Sequence, residues 1–148
     1  MSKEKDQNAQ QKMLIRCSER GLSGTLIRFL QEKLNFHGRP YPVVQPGGIY
    51  DIMHGSTEIR KHYRKRIRTI LIEASIKEVA IVGHDLCIIY NEEQGFMSLE
   101  DERKMQLSDM KELKAIINKN HPGVIVHLIY AKVLDAKRRI FSLELVEG

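Results

Sequence analysis

Cys17, His84 and Cys87 are the side chains of this sequence best suited to hold a divalent ion. Zinc takes cysteine sulfur and histidine nitrogen in a tetrahedral shell, and two sulfurs with one nitrogen leave a fourth position for water or a substrate. His84 and Cys87 stand three apart, a spacing that lets a single turn direct both at one ion. Taken alone, HxxC is a short pattern with a bland counterpart. Buried cysteine is common, and a histidine at a strand end often does no more than bond a carbonyl. Spacing by itself leaves zinc binding and inert burial both open.

The elements that must position these residues argue for convergence. Met13 to Cys17 is a short apolar run stopped by Ser18, Glu19, Arg20 and Gly21, which suits a buried strand ending in a turn. Leu22, Leu26, Ile27, Phe29, Leu30 and Leu34 recur at helical spacing, and Tyr41 to Val44 then makes a second strand running into Gln45, Pro46, Gly47 and Gly48. The paired glycines allow positive φ or a close backbone approach to a bound group, and a tight turn without a ligand is the equal alternative. A helix spans Gly55 to Ser75, and Lys77 to Gly83 reads as a third, continuously apolar strand, covered on both faces as in a parallel sheet. His84 and Cys87 follow its carboxyl end, where open α/β sheets place their sites. Ser98 is a helix N-cap with acidic residues in the first turn, and this helix, broken once, runs to Asn120. Val124 to Tyr130 forms a fourth strand, and the alternation from Ile140 to Leu145 a half-exposed edge strand. The expected fold is α/β: a mainly parallel sheet of four strands plus an edge strand, with helices on both faces.

The chain has 148 residues, the size of one domain, with 42% hydrophobic and 29% charged residues and a formal charge of +5. No apolar run approaches the roughly 20 residues of a membrane helix, so no membrane span is expected. The polar start reads as a disordered tail over residues 1–12 before a single domain over 13–148, with no export signal, which points to the cytoplasm. Two cysteines in such a chain favour metal binding or burial over a disulfide. The basic run from Arg60 to Arg68 raises nucleic acid as a partner. Tyr63, Ile67, Ile70, Leu71 and Ala74 instead form an apolar stripe, so the cations decorate the solvent side of an amphipathic helix.

The order of these motifs resembles the β-class carbonic anhydrases. That family runs from a strand followed by CxDxR, through a glycine-containing turn often reading RNAGN and a helix, to a strand ending in GHxxCG. Cys17 matches the first cysteine, Gln45 to Ile49 takes the place of the glycine turn, and Gly83, His84 and Cys87 match the last motif. The resemblance covers most of the chain from Met13 onward and implies a zinc ion on Cys17, His84 and Cys87. It also implies reversible hydration of CO2 to bicarbonate by hydroxide held on zinc, in a homodimer or dimer-based oligomer with clefts near the interface. The chain departs from the pattern at the dyad. Glu19 stands where the family has aspartate, Gly21 where it has arginine, Arg20 comes one residue early, and Ile88 rather than glycine follows Cys87. In the family that aspartate and arginine pair, which keeps the carboxylate off the metal.

Glu19 and Arg20 are therefore the candidate catalytic pair, with Glu19 a substitute for the aspartate, a fourth ligand or a solvent-facing turn residue. Gly47 and Gly48 are candidate backbone donors to a substrate or anion, and His54, His62 and Asp85 candidate proton carriers. Two other functions compete with hydration: a zinc-holding relative without catalysis serving a structural or regulatory role, and a hydrolase of carbon disulfide or carbonyl sulfide.

Overall fold

The computed structural model describes residues 11–96 and 98–148. The chain runs through β1 (Lys12–Cys17), a 3-10 turn (Arg20–Leu22), α1 (Ser23–Leu34), β2 (Tyr41–Gln45), α2 (Tyr50–His54) and α3 (Thr57–Glu73). It continues through β3 (Glu78–His84), α4 (Ile88–Gln94), α5 (Leu99–Asn120), β4 (Ile125–Asp135) and β5 (Ile140–Val146). One sheet takes the order β2-β1-β3-β4-β5, in which β1 to β4 are parallel and β5 is antiparallel on β4. This is the expected α/β architecture.

Period-two alternation assigns each strand residue to a layer. Met13, Ile15, Val79, Ile81 and Leu128 face α3 and α5, whose Ile67, Leu71, Met110, Leu113 and Ile117 complete the larger core. Leu14, Ala80, Val82 and Ile129 face the other way, onto Leu26 and Leu30 of α1 and onto Phe36. Helices thus cover both faces, which is why β1 and β3 read as unbroken apolar runs.

Ser56 caps α3 by accepting from the Ile59 N–H, and the expected stripe packs inward: Ile67 and Leu71 are buried, and Tyr63, Ile70 and Ala74 lie against the same core. Ser98 likewise accepts from the Asp101 N–H at the start of α5.

Several boundaries differ from the expectation. Residues 1–10 of the expected tail lie outside the described residues, and its last residue, Lys12, already belongs to β1, where it is buried and paired with Glu78. The helix ending at Asn120 is unbroken. β4 continues past Tyr130 to Asp135 because β5 folds back on it, pairing Ala131 with Leu143 and Lys132 with Ser142. The short helices α2 and α4 carry too few turns to leave a readable period. Among the described residues no helix is long and apolar enough to cross a membrane.

Candidate metal centre

β1 and β3 are adjacent and parallel, with Ile15 opposite Ile81, so both reach their carboxyl ends side by side, at Cys17 and His84. After His84 the chain turns through Leu86, whose φ of 58° is left-handed, and Cys87 becomes the N-cap of α4. The turn brings the third donor back. Ligand atoms of Cys17, His84 and Cys87 all lie within 4.8 Å of one another, and all three residues are buried.

The imidazole is set for coordination. His84 Nδ1 lies 2.8 Å from the Asp85 carbonyl, and a neutral ring donating there leaves Nε2 as a bare acceptor. That Nε2 is shut off from solvent and has no hydrogen-bond partner. A buried acceptor left orphaned costs roughly 1–3 kcal/mol, and a cation shared with two thiolates relieves it. The sulfurs are prepared as well. Cys17 is shifted toward thiolate by a hydrogen bond from Cys87, against the opposing effect of burial, with the Gly47 N–H directed at its sulfur. Cys87 is pushed up by sharing its proton with Cys17 and by burial, against the N–H groups of Tyr90 and Ile89. Two sulfurs and one orphaned nitrogen in a buried cluster fit a metal site.

The loop carrying His84 and Cys87 is held from outside by α5. Gln106 binds both sides of the His84 peptide, its Oε1 accepting from the N–H at 3.1 Å and its Nε2 donating to the carbonyl at 2.7 Å. Glu102, fully buried, accepts from the Leu86 and Cys87 N–H groups at 2.9 Å each and from Gln106. Glu102 is one of the first-turn acidic residues expected to favour the helix dipole, and Gln106 is not among the candidate site residues read from the sequence. The available signal was spacing: both continue the stripe of Met110, Leu113 and Ile117 toward the amino end of α5. Glu102→Ala is expected to weaken metal affinity about 10–100-fold by releasing two loop amides, measured by competition against a chromogenic chelator.

Asp85, a candidate proton carrier, has another role. Arg103 grips it at 2.8 and 2.6 Å, and Tyr130 and the Val133 N–H donate to it at 3.0 and 2.8 Å. Burial pushes its carboxyl up, but the hydrogen bonds from Arg103, Val133 and Tyr130 together outweigh burial and hold it below the usual carboxylate range. Its oxygens are committed to joining the end of β3 to α5 and β4. Asp85→Asn is expected to cost about 2–3 kcal/mol of stability, since Arg103 keeps some solvent. A carboxyl held low in the folded state stabilises fully above its unfolded pKa of about 4, and the contribution fades as pH falls through the folded value. Melting temperature should therefore drop on acidification below about pH 4, and Asp85→Asn should flatten that drop.

Glu19 lies at the mouth, in a cleft of about 430 Å³ lined by Cys17, Pro46, Gly47, Ile88 and Arg139 among others. Its expected partner Arg20 is exposed and makes no ion pair among the described residues. Arg139 takes that place, bidentate on Glu19 at 2.9 and 2.6 Å, and also donates to the Leu86 carbonyl at 3.1 Å. The Arg139 guanidinium, helped by the Gly21 N–H, holds the Glu19 carboxyl below the usual range against the opposing effect of burial. Gly21 permits the contact. A Cβ there would lie 2.1 Å from the Arg139 carbonyl oxygen, so glycine lets the β4–β5 hairpin close over the turn after β1.

Gly47 and Gly48 have φ of 81° and 58°, and a Cβ on Gly47 would press Ile89 at 2.9 Å. Their amides are already engaged: that of Gly47 faces the Cys17 sulfur, and that of Gly48 donates to the Gln45 carbonyl at 3.0 Å. They support Cys17 rather than present free donors. His54 bonds Asp109 at 2.7 Å, sharing its Oδ2 with the Tyr90 hydroxyl, whereas His62 is exposed on α3 beside Tyr63.

The chain superposes on a tetrameric β-carbonic anhydrase of the ascomycete Sordaria macrospora with a TM-score of 0.57 and 11% identity, covering 95% of this chain and 82% of that one. A variant of the β-carbonic anhydrase CafD of Aspergillus fumigatus gives 0.53 and 13%, over 93% of this chain and 89% of that one. The fold is that of the β-carbonic anhydrases. CafA of the same fungus, also a β-carbonic anhydrase, gives 0.50 and 16%, over 93% and 75%. No family model and no curated protein matches the chain. Within the β-carbonic anhydrase fold, the buried cysteine–histidine–cysteine cluster sits at the carboxyl ends of the central parallel strands.

Proposed function

We propose that the protein is a zinc-dependent, carbonic anhydrase-like lyase that interconverts CO2 and bicarbonate, with Cys17, His84 and Cys87 as the metal ligands. The observation that carries this reading is the orphaned His84 Nε2 among two buried thiols, beneath a carboxylate tied to an arginine. A zinc ion supplies Lewis acidity that brings the pKa of bound water to about 7.

The chain's own groups do the rest. Glu19, kept ionised by its bidentate bond to Arg139, would accept a hydrogen bond from a water in the site, and the same bond would hold its oxygens away from a metal ion on Cys17, His84 and Cys87. Pro46, Ile88 and Ile89 give the cleft an apolar wall suited to CO2, and Arg20 and Arg139 place positive charge where bicarbonate would enter and leave. Of the three candidate proton carriers, His54 is the one that is partly exposed and linked by hydrogen bonds, through Asp109, to Tyr90 beside Cys87. The second partner is another copy of the chain. β2 is a sheet edge with Tyr41 and Val44 exposed, surface that a homodimer would cover. Cysteines reserved as ligands suit the reducing cytoplasm.

Metal analysis and stopped-flow CO2 hydration from pH 6 to 9 test the reading together. About one zinc per chain with hydration rising toward alkaline pH is expected. Substoichiometric zinc after metal loading ends it. Full zinc without hydration would favour a non-catalytic structural or regulatory relative, the reading to which the longer Glu19 side chain lends weight. Carbon disulfide and carbonyl sulfide, alike in shape to CO2, enter as parallel substrates.

A further inference from the structure

The basic stretch of α3 plays no part in the metal centre, yet it borders a second cleft. Between α3 and α5 lies a groove of about 360 Å³ floored by Ile67, Leu71, Leu113 and Ile117. Its α3 rim is Lys61, Arg64, Lys65 and Arg68, and Asn120 and His121 close one end. The four cations follow i, i+3, i+4 and i+7, so they share one stripe of the helix, an arrangement that like-charge repulsion makes costly. No carboxylate lines the groove, and none of the four forms an ion pair among the described residues.

Arg64 is half-buried on the wall of the groove, and Arg68, Lys61 and Lys65 are exposed beside it. The groove therefore asks for negative charge at its rim and apolar matter on its floor. Inorganic phosphate would leave the floor wet, and a neutral apolar molecule would leave the cations unmatched. A nucleic acid would meet the rim but not the isoleucine and leucine beneath it. The volume lies near the lower end of the roughly 300–1,000 Å³ of small-molecule sites, which suits one short chain with one head.

We propose that the groove between α3 and α5 binds a monomeric amphiphilic anion, an alkyl carboxylate or alkyl phosphate, with its head on the α3 cations and its tail on the apolar floor. This is independent of the metal centre and of hydration. The same chemistry is offered by free acyl anions and by the anionic lipids of a membrane surface, and the proposal commits to the free molecule.

Calorimetric titration of the 148-residue chain tests it, with octyl phosphate, octanoate, octanol and inorganic phosphate as probes. Saturable binding of one octyl phosphate or octanoate per chain is expected, at least about tenfold tighter than octanol or inorganic phosphate and weakening with salt. The double variant Arg64→Gln/Arg68→Gln, checked for an unchanged circular dichroism spectrum, should lose about tenfold in affinity. Should that variant unfold, Lys61→Gln/Lys65→Gln on the exposed rim serves the same purpose. Octanol binding as tightly as octyl phosphate, or equal affinity in a folded variant, overturns the proposal. Sedimentation with phosphatidylglycerol vesicles separates the sources. Vesicle binding that octyl phosphate displaces supports the groove, and vesicle binding without saturable binding of the monomeric anions overturns it.

Discussion

Cys87→Ser protein is expected to leave purification with its zinc reduced from about one per chain to below about a tenth. A serine hydroxyl does not ionise near neutral pH, so one of the two anionic ligands disappears, while the remaining thiol and imidazole hold a divalent ion far less tightly. The backbone around position 87 should survive, because its N–H is held by Glu102 and not by the sulfur. Cys17→Ser and His84→Ala should behave alike, which separates a shared ion from three unrelated buried residues. Retained stoichiometric zinc in the folded Cys87→Ser protein would remove Cys87 from the ligand set.

The second large effect falls on the mouth of the site. In Gly21→Ala the new methyl carbon would meet the Arg139 carbonyl oxygen at 2.1 Å, a backbone atom that cannot step aside without moving the hairpin. Displacing the hairpin withdraws Arg139 from Glu19. Hydration is expected to fall about 100-fold, the size seen when an oriented electrostatic group is lost, with zinc content unchanged. Arg139→Met should cause a similar loss. Because both changes act through Glu19, the double variant should cost about as much as either alone, within roughly 0.5 kcal/mol. Stopped-flow kinetics on zinc-quantified proteins decides this. A hydration-competent parent whose Gly21→Ala and Arg139→Met variants keep full rate would show that the pair has no part in the reaction.

How much of this was readable in advance follows from the range of the interactions. β1 and β3 announced themselves because both faces are covered, and their carboxyl ends located Cys17, His84 and Cys87 near one another. Arg139 left no trace. It lies 120 positions from Glu19, in the tight connection of the β4–β5 hairpin with a left-handed φ of 54°, and no local pattern records which turn a hairpin will reach. Gly21 read as the loss of an arginine, whereas its missing side chain admits a different one. Glu102 read as an acid of a helix's first turn and Asp85 as a proton carrier, because a lone charge is usually near solvent. Their burial depends on amides, an arginine and a tyrosine supplied by other elements. α4 escaped notice because a cysteine, not serine or aspartate, stands at its N-cap.

The polar clamp from α5 bears on how the proposed metal site would be filled. Glu102 and Gln106 fix the peptide groups between His84 and Cys87 by bonds that need no metal. In small zinc domains the ion is itself the organising force, and chelators unravel them. Here Glu102 and Gln106 bond the loop directly, so folding and metallation of the proposed zinc site are expected to be separable: the metal-free protein should keep its melting transition and recover zinc on addition.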